Sequence, residues 1–336
     1  MKIAILTPTY SQFSGIDKVV KVQARDFIKE KHDVTIFCFT SDIKPEKKIK
    51  IVQMGAPSNP TLERVYRLFF FLDRKKINKY TKILKDYDLI ISHIYPMNWL
   101  GYYTKKRYGV KYIYHNHGVG ITKEYSFSEK LYLYFFRFLT KLSVKNIDYS
   151  VAISKYLARC FKQETGLPTR KIVYDKIDSK MYNKKISGKA IIKKHNLGKD
   201  SVILYVGRIS PHKGIHLLIK AFNIVLKDKP NAKLIVVGKH TFPKYIKQLK
   251  KLAKKNVIFT GFVSDELAPQ YVAACDVYTT ASLWEGFNLT IAEANAMGKP
   301  VVAFDIGPHK EVIKKGILVR ARDVKKFTEA VLKLLN

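Results

Sequence analysis

Acid is what this chain has least of. Its 336 residues hold 27 Asp and Glu against 62 Lys and Arg, a formal charge of +35 at pH 7. Such an excess points to an anionic partner: nucleic acid, a membrane surface or phosphorylated small molecules. The charge is not concentrated, with 31 basic and 14 acidic groups in residues 1–170 and 31 and 13 in residues 171–336. An even spread also fits a lysine-biased proteome. Cysteine is scarce as well. Cys38, Cys160 and Cys275 are odd in number and scattered, which excludes a disulfide framework and fits a reducing, cytoplasmic compartment. No run reaches the ~18 apolar residues of a membrane span. The opening MKIAILTPTY reads as a short strand ending in a proline turn, not as a signal peptide. Asn288-Leu289-Thr290 has the form of a glycosylation acceptor, but without a secretory segment it reads as chance. The expected protein is soluble or peripheral. Arginine nearly disappears from the second half, where 28 lysines accompany only Arg208, Arg320 and Arg322.

What is present is an ordinary apolar fraction of 47% in a chain long enough for two cores, since single cores rarely exceed ~250 residues. Strands are predicted at Lys2–Thr7, Asp33–Phe39, Lys50–Met54, Leu89–Ile94, Val110–Tyr114 and Tyr149–Ile153. A second series follows a lysine-rich break near residues 180–200, at Ser201–Val206, Lys233–Val237, Val257–Phe259, Asp276–Thr279, Pro300–Phe304 and Ile317–Val319. Helical patterns separate most of them, as where Ile16, Val19, Val20, Ala24, Phe27 and Ile28 recur at three and four. Strand alternating with helix implies parallel sheets covered on both faces. The fold class is therefore α/β, with two Rossmann-like domains whose parallel sheets face a cleft. Residues 1–170 form the N-terminal domain and 171–336 the C-terminal one. Ligands are expected at the carboxyl ends of the strands.

Chemistry concentrates in the second half. In VGRISPHKG, residues 206–214, Arg208 follows a strand's carboxyl end in a region that otherwise uses lysine. Its planar fork can grip two phosphate oxygens, and Lys213 adds a point charge. A solvated basic turn is the plainer alternative. Further on, WEGFNLTIAEANAMGKPVVAFD, residues 284–305, places Glu285 before a helix and Glu293 about one turn inside it. The first amides of that helix, around Asn288, Leu289 and Thr290, lack internal acceptors and sit at the positive end of its dipole, a seat for a diphosphate. The two carboxylates can accept hydrogen bonds from sugar hydroxyls on either side of that seat. By themselves they equally suit a helix start and a surface ion pair.

The order of the pieces decides between these. Gly207-Arg208…Lys213-Gly214, then LIVVG at 234–238, Gly261-Phe262-Val263, Glu285-Gly286-Phe287…Glu293 and Gly298-Lys-Pro-Val-Val strongly resemble the retaining family-4 glycosyltransferases of GT-B architecture. The first half resembles them through Ser14-Gly15, Asn116-His117-Gly118 and Val151-Ala152-Ile153-Ser154. The resemblance implies a hexosyltransferase that moves a sugar from a nucleotide-diphospho-sugar, linked to UDP, GDP or ADP, with no cofactor and no metal. It implies that His117, Arg208, Lys213 and Glu285 are catalytic. Arg208 and Lys213 would neutralise the diphosphate, Glu285 would hold hydroxyls of the transferred sugar, and His117 would reach that sugar from the first domain. Donor contacts would come from Gly15, Gly207, Phe262, Val263, Asn288, Leu289, Thr290 and Glu293, the last on the ribose and the backbone of Phe262 and Val263 on the base. The N-terminal domain would bind the acceptor and the C-terminal domain the nucleotide-sugar. Asp175-Lys176-Ile177-Asp178 stands where the family has Asn-Gly before a hydrophobic residue and aspartate.

His115 and His117 alternate along a strand end as metal ligands would, but no third ligand is near in sequence, so no metal site is expected. Arg64–Lys85 and Glu129–Lys145 read as helices mixing aromatics with cations. Tyr132, Phe135, Phe136 and Leu139 recur at helical spacing beside Lys130, Arg137 and Lys141, which reads first as core or interdomain packing, with an interfacial helix the alternative. The acceptor is expected near Ser14-Gly15 and Tyr95–Trp99. An anionic membrane surface at the inner face of the membrane, or a lipid-linked acceptor there, is the favoured further partner. Nucleic acid is less favoured, as substrate of a DNA-modifying GT-B glucosyltransferase or as ligand of a protein with a vestigial sugar site. Nothing in the sequence specifies an oligomer.

Overall fold

The computed structural model describes residues 1–11, 15–46, 48–240 and 242–335, so Ser14 lies outside the described residues. The chain forms two compact units. The first is Met1–Val119 with Phe127–Lys176, and the second is Gly120–Ser126 with the residues from Ile177 on. A short segment of the first half, 120–126, is thus built into the second unit.

In the first unit the strands of the main sheet are β1 (Lys2–Leu6), β2 (Asp33–Cys38), β3 (Ile49–Gln53), β4 (Leu89–Ser92), β5 (Lys111–Asn116), β6 (Tyr149–Ala152) and β7 (Thr169–Ile172), beside a small two-stranded sheet of Thr9–Tyr10 and Thr40–Ser41. The main sheet is parallel, in the order β3-β2-β1-β4-β5-β6-β7. The helices are α1 (Gly15–Lys29), α2 (Pro60–Leu68), α3 (Arg74–Leu84), α4 (Asn98–Tyr108), α5 (Phe127–Ser143) and α6 (Lys155–Thr165). Helices on both faces explain why β1 is a continuous apolar run. Ala4 and Leu6 pack with Phe37, Ile90 and Tyr112, while Ile3 and Ile5 pack with Val20, Ala24 and Ile36. The alternation of a strand sends one pair to each core.

One expectation needs correction here. Arg64–Lys85 is not one helix: a one-turn segment, Phe70–Leu72, separates α2 from α3. Asp73 makes the break, accepting from the Lys76 amide (3.0 Å) through Oδ1 and from the Tyr66 hydroxyl (2.8 Å) through Oδ2. Tyr132, Phe135, Phe136 and Leu139 follow the core reading and not the interfacial alternative. Leu139 is buried, Phe135 and Phe136 pack against the core, and the Phe136 ring lies 4.8 Å from that of Tyr95. Tyr95, Met97 and Trp99, near which the acceptor is expected, are buried too. Strand β7 was not foreseen at all.

The second unit holds β8 (Val202–Val206), β9 (Lys233–Val237), β10 (Val257–Gly261), β11 (Val277–Thr280), β12 (Val301–Asp305) and β13 (Gly316–Arg320). They form a parallel sheet in the order β10-β9-β8-β11-β12-β13. Its helices are α7 (Lys189–Lys194), α8 (Ile215–Asp228), α9 (Pro243–Leu252), α10 (Ala268–Ala274), α11 (Leu289–Ala296), α12 (His309–Val312) and α13 (Val324–Leu335). Ile203 and Tyr205 of β8 pack with Ile215, Leu218, Ile219 and Phe222 of α8, and Phe304 meets Phe327 of α13 edge-on at 5.2 Å. Each fully buried side chain of this size contributes about 1.5–3 kcal/mol of transfer free energy. The chain runs outward from β8 to β10 and then returns beside β8 with β11, so the strand order reverses between β8 and β11. Their carboxyl ends flank the crevice where open α/β sheets bind ligands. No helix among the described residues is long and apolar enough to cross a membrane.

Candidate functional site

At the reversal point two loops meet. One follows β8 through Gly207, Arg208 and a one-turn segment, Pro211–Lys213; the other follows β11 and leads into α11. The Leu283 amide donates to the His212 carbonyl (2.8 Å). Gly214, with φ +64°, lets the start of α8 touch the second loop, since a Cβ there would lie 1.9 Å from the Ala281 carbonyl oxygen. A Cβ on Gly238 would likewise lie 1.8 Å from the carbonyl oxygen of Gly207. Glycine is therefore required at both positions by close approach of backbone.

This joining brings Lys213 to Glu285. The ammonium donates to both carboxylate oxygens, at 2.7 and 2.8 Å, and Glu285 is buried. Burial pushes the Glu285 carboxyl up, but the charge and hydrogen bonds of Lys213, helped by His309 and Ser282, outweigh it, and the group lies below the usual carboxylate range. Arg208 is exposed, and among the described residues its guanidinium has no carboxylate partner. Its own carbonyl accepts from the Tyr205 hydroxyl (2.9 Å), which holds the turn.

The start of α11 is fixed by a chain of hydrogen bonds in which each donor is determined. The Tyr278 hydroxyl donates to Thr290 Oγ1 (2.7 Å), which donates to Asn288 Oδ1 (2.9 Å). Asn288 Nδ2 donates to His309 Nε2 (2.9 Å), whose Nδ1 donates to the Phe304 carbonyl (2.7 Å). Asn288 itself is left-handed, φ +76°, at the N-cap of α11. The first free amides of the helix, beside Leu289 and Thr290, are thereby aimed by a rigid frame. Glu293 is buried inside α11, and the Tyr182 hydroxyl hydrogen-bonds to it. Phe262 is exposed at the carboxyl end of β10, followed by the half-buried Val263.

The segment 120–126 completes this unit. The Tyr125 hydroxyl lies 2.6 Å from His212 Nδ1, Glu124 pairs with Arg322, and Gly120 sits against the Trp284 indole. Burial first, and the nearby Lys213 second, push His212 down to about 3, so it is neutral at pH 7.

In the first unit Gly15 opens α1 and is exposed. His117 is buried in a cluster that the sequence did not reveal. Ser92 of β4 pairs with Tyr114 of β5, so the next residue, His93, falls beside His115, with ring centroids 4.8 Å apart. His93 Nδ1 lies 2.9 Å from His117 Nε2, and His93 Nε2 lies 2.8 Å from the Gln23 amide oxygen. An amide oxygen only accepts, so His93 Nε2 carries the proton and its Nδ1 is the acceptor for His117. Both ring nitrogens of His115 are buried without a partner. Burial lowers all three, His115 to about 4. One nitrogen of each lies within 4.8 Å of the others, so three neutral bases stand where a divalent ion could be held. The third ligand missing from the sequence reading is His93.

Residues 13–174 match the model of Glycosyltransferase Family 4, and residues 188–336 match that of Glycosyl transferases group 1. An uncharacterised glycosyltransferase of Methanocaldococcus jannaschii is 30% identical over 271 residues, covering 75% of this chain and 67% of the relative. The alpha-monoglucosyldiacylglycerol synthase of Streptococcus pneumoniae is 27% identical over 342 residues, covering 90% and 71%. Among solved structures, the Anabaena HepE protein in complex with UDP and glucose superposes with a TM-score of 0.80 at 21% identity, covering 100% of this chain and 90% of that one. The chain belongs to the family-4-like glycosyltransferases, and its fold is the GT-B architecture.

Proposed function

We propose that this chain moves a hexose from a nucleoside-diphosphate-hexose to a lipid-linked acceptor, with retention of anomeric configuration and without a metal ion. The observation that carries the reading is the buried Lys213–Glu285 pair beside the start of α11, at the point where the strand order reverses. The donor's diphosphate would lie against the first amides of α11. Arg208 and Lys213 would balance the charge that develops as it leaves. Glu285 would exchange its bond to Lys213 for hydroxyls of the hexose, and Glu293 would hold the ribose. Phe262 and Val263 would offer backbone to the base. His117, neutral and with its Nε2 proton held by His93, would accept from a sugar hydroxyl at Nδ1.

Retention follows if the acceptor oxygen attacks the anomeric carbon on the face from which the phosphate departs. The carbon–oxygen bond to phosphate breaks as the new one forms, and the acceptor's proton passes to a phosphate oxygen. No covalent nucleophile is needed. The lipid-linked acceptor is supported by the name of the Streptococcus pneumoniae relative, a glucosyldiacylglycerol synthase, and by the basic charge of the chain. The UDP donor of the HepE complex makes UDP-hexose the first donor to try.

The test is hydrolysis of UDP-, GDP- and ADP-hexoses with and without EDTA, with the released sugar's anomer read by NMR. One donor should be turned over, equally with EDTA, and an α-linked donor should release the α-anomer first. Absence of turnover, together with no thermal protection by any donor, would sink the reading. Initial release of the opposite anomer would sink retention alone.

A further inference from the structure

The first unit carries an apolar surface that its own core does not use. On α5, Phe127, Leu131, Tyr134 and Phe138 are 83%, 61%, 58% and 54% exposed. Their spacings of four, three and four place them on one helix face. The same spacing continues to Lys141 and Lys145, both exposed. On α2 and the turn that follows it, Leu62, Val65, Phe69 and Leu72 are exposed at three, four and three. The two rows are neighbours. The Phe69 ring lies 5.9 Å from that of Phe135, and Phe135 lies 6.3 Å from Phe138. Burial pushes the Tyr132 hydroxyl of α5 up, and Arg64 and Arg67 of α2 lie near enough to oppose that rise.

Soluble proteins scatter exposed apolar side chains singly, and a contiguous patch bordered by polar groups marks an interaction site. Cations stand on the same two elements: Arg64 of α2, Lys141 of α5 and Lys145 in the turn after α5 are exposed. Glu63 on α2 is already paired with Arg67 (3.2 Å). A second copy of the chain would bring the same cations and another +35 against it, and like charges would repel. A bilayer with anionic headgroups satisfies both halves of the pattern. Aromatic and aliphatic side chains enter the boundary between headgroups and acyl chains, while lysine and arginine meet the phosphates.

We propose that the outer faces of α2 and α5 dock this chain on an anionic lipid bilayer. The inference deepens the lipid-linked acceptor reading above and rests on it. It replaces the face that helical spacing alone suggests, because Phe135, Phe136 and Leu139 pack inward.

The full chain is sedimented with vesicles of phosphatidylcholine alone, or mixed with about one-third phosphatidylglycerol. Binding should require the anionic lipid and weaken with salt. Leu131→Ser/Phe138→Ser should lower it at least ~10-fold with circular dichroism and thermal midpoint preserved. Lys141→Ser/Lys145→Ser should weaken it, whereas Lys250→Ser/Lys251→Ser, an equal charge loss on α9, should not. The proposal is overturned by indifference to lipid charge, by full binding in the apolar double variant, or by equal effects of the two lysine pairs. It is also overturned if the chain sediments as a dimer that Leu131→Ser/Phe138→Ser dissolves, since the face would then be a self-interface. Donor hydrolysis by the same preparations separates the two readings. Hydrolysis without vesicle binding removes the docking face alone, and vesicle binding without hydrolysis removes the transfer reading alone.

Discussion

With Lys213 removed, Glu285 would keep its burial and lose the ammonium that holds it below the ordinary carboxylate range. A buried ion left unpaired costs about 3–5 kcal/mol. Lys213→Ala should therefore destabilise the second unit by roughly that amount in urea melts. Glu285→Gln added to it should restore most of the stability but none of the transfer. A double variant that regained activity would show that the pair acts only in folding. Because the folded value of Glu285 is depressed, the stability it contributes is present above the unfolded carboxylate value. That stability disappears as pH falls through the folded one. His115 also works on the acid side. Its folded value of about 4 lies below the ordinary ~6.5, so above pH ~6.5 it is neutral whether folded or not. Below that, the unfolded chain takes up a proton that the folded one refuses, and stability falls between pH 6.5 and about 4. His115→Phe should flatten this limb in urea midpoints measured across pH. It should cost nothing at pH 7, because both ring nitrogens lack partners. A loss of stability at pH 7 would mean that those nitrogens have a partner in solution, a divalent ion being the obvious one.

Among the elements, α11 depends most on one residue. Asn288 is left-handed and links Thr290 to His309. Alanine there would add about 1–2 kcal/mol of backbone strain to the loss of two hydrogen bonds at ~1 kcal/mol each. Asn288→Gly would lose the bonds alone. Urea melts should thus order wild type above Gly above Ala, and donor-induced thermal protection should fall in both variants. Equal melts for all three would show that the frame does not hold the helix start. Elements differ in how readable they were beforehand. The strands of both sheets were legible because a parallel sheet covered on both faces needs unbroken apolar runs, as in Ile3–Leu6 and Leu234–Val237. Strand β7, Thr169–Ile172, is polar and largely exposed and carries no such signal. The break at Phe69–Asp73 lies inside an apolar run, where periodicity continues and only a side-chain cap ends the helix. Helix α5 has aromatic residues around much of its circumference, so spacing could not tell its inward face from its outward one. The loops holding Arg208, Lys213 and Glu285 were legible as motifs. His93 was not, because its place beside His115 depends on the β4–β5 register, which no local pattern encodes.

At the scale of the whole molecule the dominant fact is charge. A formal +35 raises the free energy of any compact state through self-repulsion. Here both halves carry the load, with 31 basic groups each and 14 or 13 acidic ones. Specific pairs relieve little of it. Several ion pairs join exposed or half-exposed side chains, as Lys29–Asp26 and Lys326–Glu329 do, and such pairs are worth at most about 1 kcal/mol. Salt shortens the Debye length from ~10 Å at 0.1 M to ~3 Å at 1 M, which should screen the repulsion more than it weakens the exposed pairs. The buried Lys213–Glu285 pair is shielded from that screening. Thermal midpoints of the full chain should therefore rise as sodium chloride increases over this range. The rise should persist with chloride replaced by another monovalent anion, since screening does not depend on anion identity. A midpoint that falls with salt would mean that the exposed pairs outweigh the repulsion. A rise confined to one multivalent anion would instead mean that a specific site, such as the one beside Arg208 and the start of α11, dominates the response. Because the two units carry almost equal charge, two resolved unfolding steps, if seen, should move upward together.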